Sequence, residues 1–301
     1  MKKINYLIVL FLLVFIVACN NESEKSEASE EEQIINEETS TEENQEDIAE
    51  DEEVTANEDV TNGTEQKSED IKQEETREKQ VETLYELGSE WQLVPIEEDT
   101  NENVVLLTID DAPDKYALEM AKTLKDLNAP AIFFVNGHFL ESEENKDILR
   151  QIHEMGFAIG NHTYNHQRLS EVNEEQQKED ILELSNLIQD IIGEKPKFFR
   201  APNGVNTDYA TQLVKDEGML LMNWTYGYDY FKPYMDAEKL KEAMISGEGP
   251  EVDVPYSLLK PGANLLMHDR EWTAEALGDI VNGLRKKGYE MADPISIKLP
   301  E

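Results

Sequence analysis

The sequence predicts an α/β domain built on a largely parallel sheet. Two observations predict it. Short apolar runs bounded by turn residues alternate with amphipathic helical stretches through most of the chain after about residue 81. The unusual polar residues of that region also fall at the C-terminal ends of the runs, the edge where parallel sheets and barrels build their sites.

Taken in order, residues 91–96 read as a short leading strand. Residues 104–109 form a continuous apolar run of the kind expected of a strand buried on both faces, ending at Asp110-Asp111-Ala112-Pro113. A helix follows with Tyr116, Leu118, Met120, Leu124 and Leu127 as its core positions, and residues 131–135 are the next strand. A helix over 146–155 stops at Gly156, and a strand over 157–160 leads into His162-Thr-Tyr-Asn-His166. The long helix 174–192 stops at Gly193; a strand over 197–200 ends at Arg200-Ala-Pro-Asn-Gly204. A helix over 208–217, a strand over 219–222 and a helix over 237–245 precede the strand 263–267, which ends at His268-Asp269. The last helix is expected over 272–287 and the last strand over 289–291.

The N-terminal part is of another kind. Met-Lys-Lys-Ile-Asn, an apolar run over 6–17 and Ala18-Cys19 have the form of a secretory signal, too short for a comfortable membrane span. Cys19 is the single cysteine of the 301 residues, which excludes an internal disulfide. Residues 19–80 are mostly Glu, Asp, Ser, Thr, Asn and Gln and bury too little apolar surface to offset their ordering entropy, so a disordered acidic tether is expected there. About 60 such residues have an r.m.s. span of roughly 40–45 Å, extended further by like-charge repulsion. The formal net charge of −39 repels nucleic acid and anionic lipid, and no protein partner is implied. The expected organisation is therefore a signal peptide over 1–18, a tether over 19–80 and one domain over 81–301.

The predicted strand ends gather Asp110, Asp111, His162, His166, Arg200, Asp229 and His268. Read alone, His162 and His166 are an HxxxH; coiled into one helical turn, they would share a face and could grip one ion. Two neutral imidazoles and one carboxylate make a three-ligand site with a position left for water, whose pKa zinc lowers to about 7. The second carboxylate can then serve as base and a histidine from the far side as acid. His138 and His153 stand apart and read as structural or surface residues. Trp224 and Trp272 read as core or groove wall.

Four of these segments resemble the motifs of the NodB-homology polysaccharide deacetylases, carbohydrate esterase family 4. Thr108-Ile-Asp-Asp-Ala-Pro113 resembles T-F-D-D-G-P, His162-Thr-Tyr-Asn-His166 resembles H-[ST]-x-x-H, Arg200-Ala-Pro-Asn-Gly204 resembles R-x-P-x-G, and Leu266-Met-His268 resembles L-x-H. Ile16-Val-Ala-Cys19 resembles a bacterial lipobox with Ile16 at the usual leucine, which implies lipidation of Cys19. The resemblance implies a distorted (β/α) barrel and metal-dependent removal of N-acetyl groups from a sugar polymer. It implies Asp110 as general base, Asp111, His162 and His166 as ligands of a divalent metal (zinc, with cobalt as alternative), and Arg200 as the partner of Asp110. His268 would be the acid, the Asn203 N–H an oxyanion donor, and Leu266 a wall for the acetyl methyl.

Three departures stand out. Ala112 replaces a glycine and Asn203 an aromatic. In Trp224-Thr-Tyr-Gly-Tyr-Asp-Tyr230, Gly227 occupies the first aspartate of the family's W-[ST]-x-D-x-x-D-W, and Asp229-Tyr230 is expected to stand in for its Asp-Trp pair. The functional expectation is an extracytoplasmic, lipid-anchored N-deacetylase of a cell-wall glycan such as peptidoglycan. A non-catalytic wall-binding protein with the same fold, and an O-acetyl esterase, are the alternatives.

Overall fold

The computed structural model describes residues 82–301. The expected signal peptide, the expected lipidation site Cys19 and the expected acidic tether therefore lie outside the described residues. Within them a two-stranded antiparallel hairpin, β1 (Tyr85–Leu87) and β2 (Leu93–Pro95), precedes the main sheet. The leading strand expected over 91–96 is the second arm of this hairpin; Trp91, with φ 65°, sits in its turn. The first arm, Tyr85–Leu87, has no counterpart among the expected elements.

The main sheet comprises β3 (Val104–Ala112), β4 (Ala131–Val135), β5 (Ala158–Asn161), β6 (Phe198–Phe199), β7 (Leu220–Leu221), β8 (Ala263–His268) and β9 (Glu290–Met291). Its order is β7-β6-β5-β4-β3-β8, with β9 also on β3, and every pairing in it is parallel. Between the strands run α1 (Ala117–Asp126), α2 (Glu143–Glu154), α3 (Glu174–Ile192), α4 (Asp208–Asp216), α5 (Ala237–Ser246) and α6 (Glu271–Lys286). The sheet curls until the chain beyond β7 meets its other edge: Thr225 N–H donates to Asn264 O and Leu266 N–H to Tyr226 O, both at 2.8 Å. A distorted (β/α) barrel results. Among the described residues no helix is long and apolar enough to cross a membrane.

Local chemistry explains the helix boundaries. Asn173 and Gln176 form a reciprocal capping box at the start of α3, and Gly193, left-handed at φ 86°, ends it. Ser142, Thr207 and Asp236 accept a backbone N–H at the starts of α2, α4 and α5. In α1 the buried side chains are Ala117, Met120, Ala121 and Leu124, whereas Tyr116, Leu118 and Leu127 are only partly covered. Met120 and Leu124 are thus shared with the expected stripe, and Ala117 and Ala121 complete the buried face, with Tyr116 and Leu127 packed at its margin.

Alternation along β3 builds the site. Val105, Leu107 and Ile109 face the helices with Phe133, Leu277 and Ile280; Val104 and Leu106 face the barrel interior with Ile132, Phe134, Phe198 and Met222. Each such side chain contributes about 1.5–3 kcal/mol of burial. Further along β3 the same inward phase brings Thr108 and Asp110, so the interior is apolar at the strand N-termini and polar at the C-termini.

Candidate active site

Asp110 and Asp111 are consecutive, and in a regular strand their side chains would point to opposite faces. The β3–β4 register shifts between Ile109 and Ala112, and Asp111 adopts φ 61°. This bulge turns both carboxylates toward the same strand-end cleft, the use to which bulges are often put beside sites. Asp269 holds the following turn: its carboxylate accepts Asp114 N–H at 2.7 Å and Tyr116 N–H at 2.6 Å.

The His162–His166 stretch is not the helical turn considered above. Thr163 (φ 67°) and His166 (φ 54°) are both left-handed, and the loop is held by neighbours rather than by its own backbone. Asn136 Nδ2 donates to the carbonyls of His162 and Thr163 at 2.6 and 3.1 Å. On the other side Asp180 Oδ1 accepts from Asn165 N–H and Nδ2 at 2.9 and 2.6 Å. Thr163 Oγ1 accepts His166 N–H at 3.1 Å. The two imidazoles still converge, with ring centroids 4.9 Å apart.

His162 Nδ1 lies 2.7 Å from Arg200 O, so Nδ1 carries the proton and Nε2 is left as a free lone pair. His166 Nε2 is 3.5 Å and His162 Nε2 3.9 Å from Asp111 Oδ1. One ligand atom from each of these three residues lies within 4.8 Å of the others. Two imidazole nitrogens and one carboxylate oxygen at this spacing fit a borderline-soft divalent ion such as zinc. Burial lowers the pKa of His166, as does the neighbouring His162, which favours the neutral imidazole a metal needs. Burial pushes Asp111 upward, but the imidazoles of His268, His162 and His166 and the Arg270 guanidinium outweigh it and hold the carboxyl below its usual range.

Asp110 is fastened from the opposite side. Its Oδ1 accepts Arg200 Nη1 at 2.7 Å, while its Oδ2 faces His162 Nε2 at 3.5 Å. Arg200 is fully buried and uses its whole fork: Nη1 also donates to Thr108 Oγ1, Nη2 to Asn223 O and Asn264 Oδ1, and Nε to Met222 O. The Phe134 ring lies 4.3 Å from its guanidinium carbon. A buried cation is tolerable only when satisfied in this way.

Across the cleft, His268 meets Asp229 twice: Asp229 Oδ1 accepts the ring Nδ1–H at 2.8 Å and Oδ2 the backbone N–H at 2.5 Å. Thr273 Oγ1 donates to the same carboxylate at 2.9 Å, and Trp272 Nε1 to the Asp229 carbonyl, also at 2.9 Å. Burial alone would lower the His268 pKa, but Asp229, with help from Asp110 and Asp111, raises it to about 9. Gly227, in contrast, faces β8: a Cβ there would lie 2.4 Å from Leu266 O. This backbone has no room for the aspartate that the family's motif carries at that position, and Asp229 is the carboxylate that reaches the histidine.

A cleft of about 260 Å³ is lined by Asp110, Asp111, His162, His166, Asn203, Trp224, Tyr230, Leu266 and His268. Every expected site residue among the described ones therefore borders one space, or, for Arg200 and Asp229, holds a residue that does. Asn203 sits at φ 59° in the turn after β6, and the Tyr230 ring lies edge-on to His268 at 5.6 Å. A second cleft of about 270 Å³, walled by Phe157, Ile159, Phe198 and Ile295, opens at the opposite, N-terminal ends of β5 and β6, away from these groups. His138 and His153 stay outside the site, beside Tyr164 O and Glu194. Sequence reasoning missed Arg270, whose Nη2 donates to Asp111 Oδ2 at 2.6 Å. The available signal was its position two residues after a strand-end histidine.

Comparison with known proteins leads to the same family. Residues 97–222 match the model for polysaccharide deacetylase. A Bacillus cereus peptidoglycan-N-acetylglucosamine deacetylase is 30% identical over 195 residues, 62% of this chain and 67% of the relative. The chain belongs to the polysaccharide deacetylase family. Another B. cereus protein of the same name is 28% identical over 190 residues, covering 62% of this chain and 66% of that protein. The chain thus spans about two thirds of the length of these relatives. Among solved structures, a mutant of a Bacillus anthracis CE4-family pseudoenzyme, described as having restored enzymatic activity, superposes with a TM-score of 0.56 at 26% identity. That match covers 64% of this chain and 66% of the other.

Proposed function

We propose that this chain is a metal-dependent hydrolase that removes N-acetyl groups from a cell-wall glycan, with peptidoglycan amino sugars as substrate. The observation that carries the reading is the opposition of two polar pairs in one cleft, Arg200–Asp110 at 2.7 Å and Asp229–His268 at 2.8 Å, beside the Asp111, His162, His166 cluster. The two B. cereus relatives are named for deacetylation of peptidoglycan N-acetylglucosamine, which supports the substrate class.

A divalent ion held by Asp111, His162 and His166, zinc in this reading with cobalt as the alternative, supplies Lewis acidity and lowers the pKa of water. Asp110 takes a proton from the attacking water, and Arg200, bonded to its Oδ1 at 2.7 Å, holds that carboxylate in place. The Asn203 N–H donates to the oxygen that gains charge as the acetamide carbonyl turns tetrahedral. His268, protonated through its bond to Asp229, delivers its Nε2 proton to the departing amine, so acetate and a free amino sugar leave. Leu266 borders the acetyl methyl, and Tyr230 walls the sugar. The same reading places the domain outside the cytoplasm, anchored to the membrane through a lipid on Cys19. The Ile16–Cys19 motif and the acidic stretch after it support that placement.

Incubation with an N-acetylated glycan tests the function. Acetate should appear with an equal amount of free amine, stop with chelator and return with zinc or cobalt. Acid without amine would identify an O-acetyl esterase. No release from any polymer with either metal overturns the enzyme reading in favour of a wall-binding protein.

A further inference from the structure

Arg270 opens α6 directly after His268-Asp269, and its position is fixed at both ends. Its backbone carbonyl accepts Ala274 N–H at 2.9 Å, and the preceding Asp269 N–H donates to Asp110 O at 3.0 Å. The guanidinium is tied by Nη1 to the Asp269 carbonyl at 2.8 Å and by Nη2 to Asp111 Oδ2 at 2.6 Å; Asp114 Oδ2 lies 3.8 Å away. Asp111 is 13% exposed at its side chain, so this is a charge-assisted contact in a largely desolvated site rather than a solvated surface pair.

The consequence lies in how Asp111 is divided. Its Oδ1 faces His166 and His162 at 3.5 and 3.9 Å, while its Oδ2 is occupied by Arg270. A free carboxylate can offer a metal both oxygens; one whose second oxygen is tied to a guanidinium N–H and turned from the imidazoles is a poorer second ligand there. A partner of this kind also withdraws electron density from the carboxylate, the reverse of the carboxylate partners that make histidine ligands more basic.

We infer that Arg270 is a positioning residue that restricts Asp111 to a single donor oxygen, leaving the remaining coordination positions for water and substrate. It holds the site in an open, weaker-binding form. This rests on the metal-deacetylase reading given above, and it concerns a residue outside the four motif segments.

The test binds cobalt(II) to the wild-type protein, Arg270→Ala and Arg270→Lys, reading the visible absorption, the dissociation constant by chelator competition, and acetate release. In Arg270→Ala, Asp111 turns both oxygens to the ion: cobalt absorption weakens as the coordination number rises. The dissociation constant falls by about tenfold because a nearby positive charge is gone, and kcat/KM drops by about tenfold or more. Arg270→Lys, which keeps the charge, stays nearer to wild type in all three. Tighter metal with lower activity is the signature, since mere loss of structure loosens metal and activity together. An unchanged spectrum, or weaker cobalt binding in Arg270→Ala, overturns this inference alone. Absence of cobalt binding by the wild type overturns the metal reading and this inference with it.

Discussion

Asp229 grips His268 at two points, the ring Nδ1–H at 2.8 Å and the backbone N–H at 2.5 Å, and thereby fixes both the tautomer and the aim of the imidazole. The same contact raises the His268 pKa to about 9 against the opposing effect of burial. A raised pKa means that the protonated form is the one stabilised by folding. Its stabilising contribution is complete below the ordinary histidine value of 6.5 and disappears as pH rises through about 9.

Activity should follow the same proton. For an acid that must be charged, kcat/KM is expected to fall on the alkaline side as pH passes about 9. Asp229→Asn should move that limb downward, toward the ordinary histidine range, and cost about 10²-fold at neutral pH. A pH–rate profile of both proteins decides this; an alkaline limb that does not move in the variant removes Asp229 from the role.

Asp110→Asn should lower kcat by about 10²–10⁴-fold, the usual share of a positioned base, while metal content stays at the wild-type level. Removing its partner has a different signature. Arg200→Met leaves a buried carboxylate without its cation and should destabilise the fold by about 3–5 kcal/mol. The Asp110→Asn/Arg200→Met double variant should recover part of that loss, because the orphaned charge is gone as well. Urea unfolding of the four proteins reads the coupling, and strict additivity would show that the 2.7 Å contact contributes nothing.

His162→Ala with His166→Ala should abolish bound divalent metal, measured by elemental analysis after dialysis. Chelation of the wild type should lower its Tm, since an ion that binds only the folded state stabilises it by about 2.7 kcal/mol at a hundred times Kd. The double variant should show no such chelator-dependent shift. Full metal content in that variant would move the ion elsewhere in the chain.

Much of this was legible in the residues. The alternation of apolar runs and amphipathic helices located every element of the main sheet, and where the punctuation was strong the limits coincide: β4 at Ala131–Val135, and α3 between its Asn173 cap and Gly193. The geometry of the site was less accessible, because it depends on backbone conformations that no local signal specifies. Asp111, Thr163, His166 and Asn203 are all left-handed without being glycine, and Asp111 and Thr163 meet side chains distant in sequence, Arg270 and Asn136. The helical arrangement considered for His162 and His166 therefore failed, although the convergence of their rings did not depend on it. Arg270 was overlooked for a related reason. An arginine at the start of a helix reads as a surface residue until the β3 bulge places Asp111 beneath it.

The altered fourth motif gives the last prediction. If Gly227 were simply a lost aspartate, Gly227→Asp should restore a family feature and improve the site. The structure argues the opposite, since a Cβ at this position lies 2.4 Å from Leu266 O and 2.8 Å from Leu266 Cβ. Leu266 lines the cleft and its N–H bonds Tyr226 O, so relieving the clash must part the bridge that joins the end of the sheet to β8. Gly227→Ala should cost about 1–3 kcal/mol, and Gly227→Asp at least as much, with kcat/KM falling in both. Urea unfolding and acetate release measured on the same preparations check this. A Gly227→Asp protein as stable and active as the wild type would mean that the strand edges can separate, and that Asp229 shares its role with whatever carboxylate is offered two residues earlier.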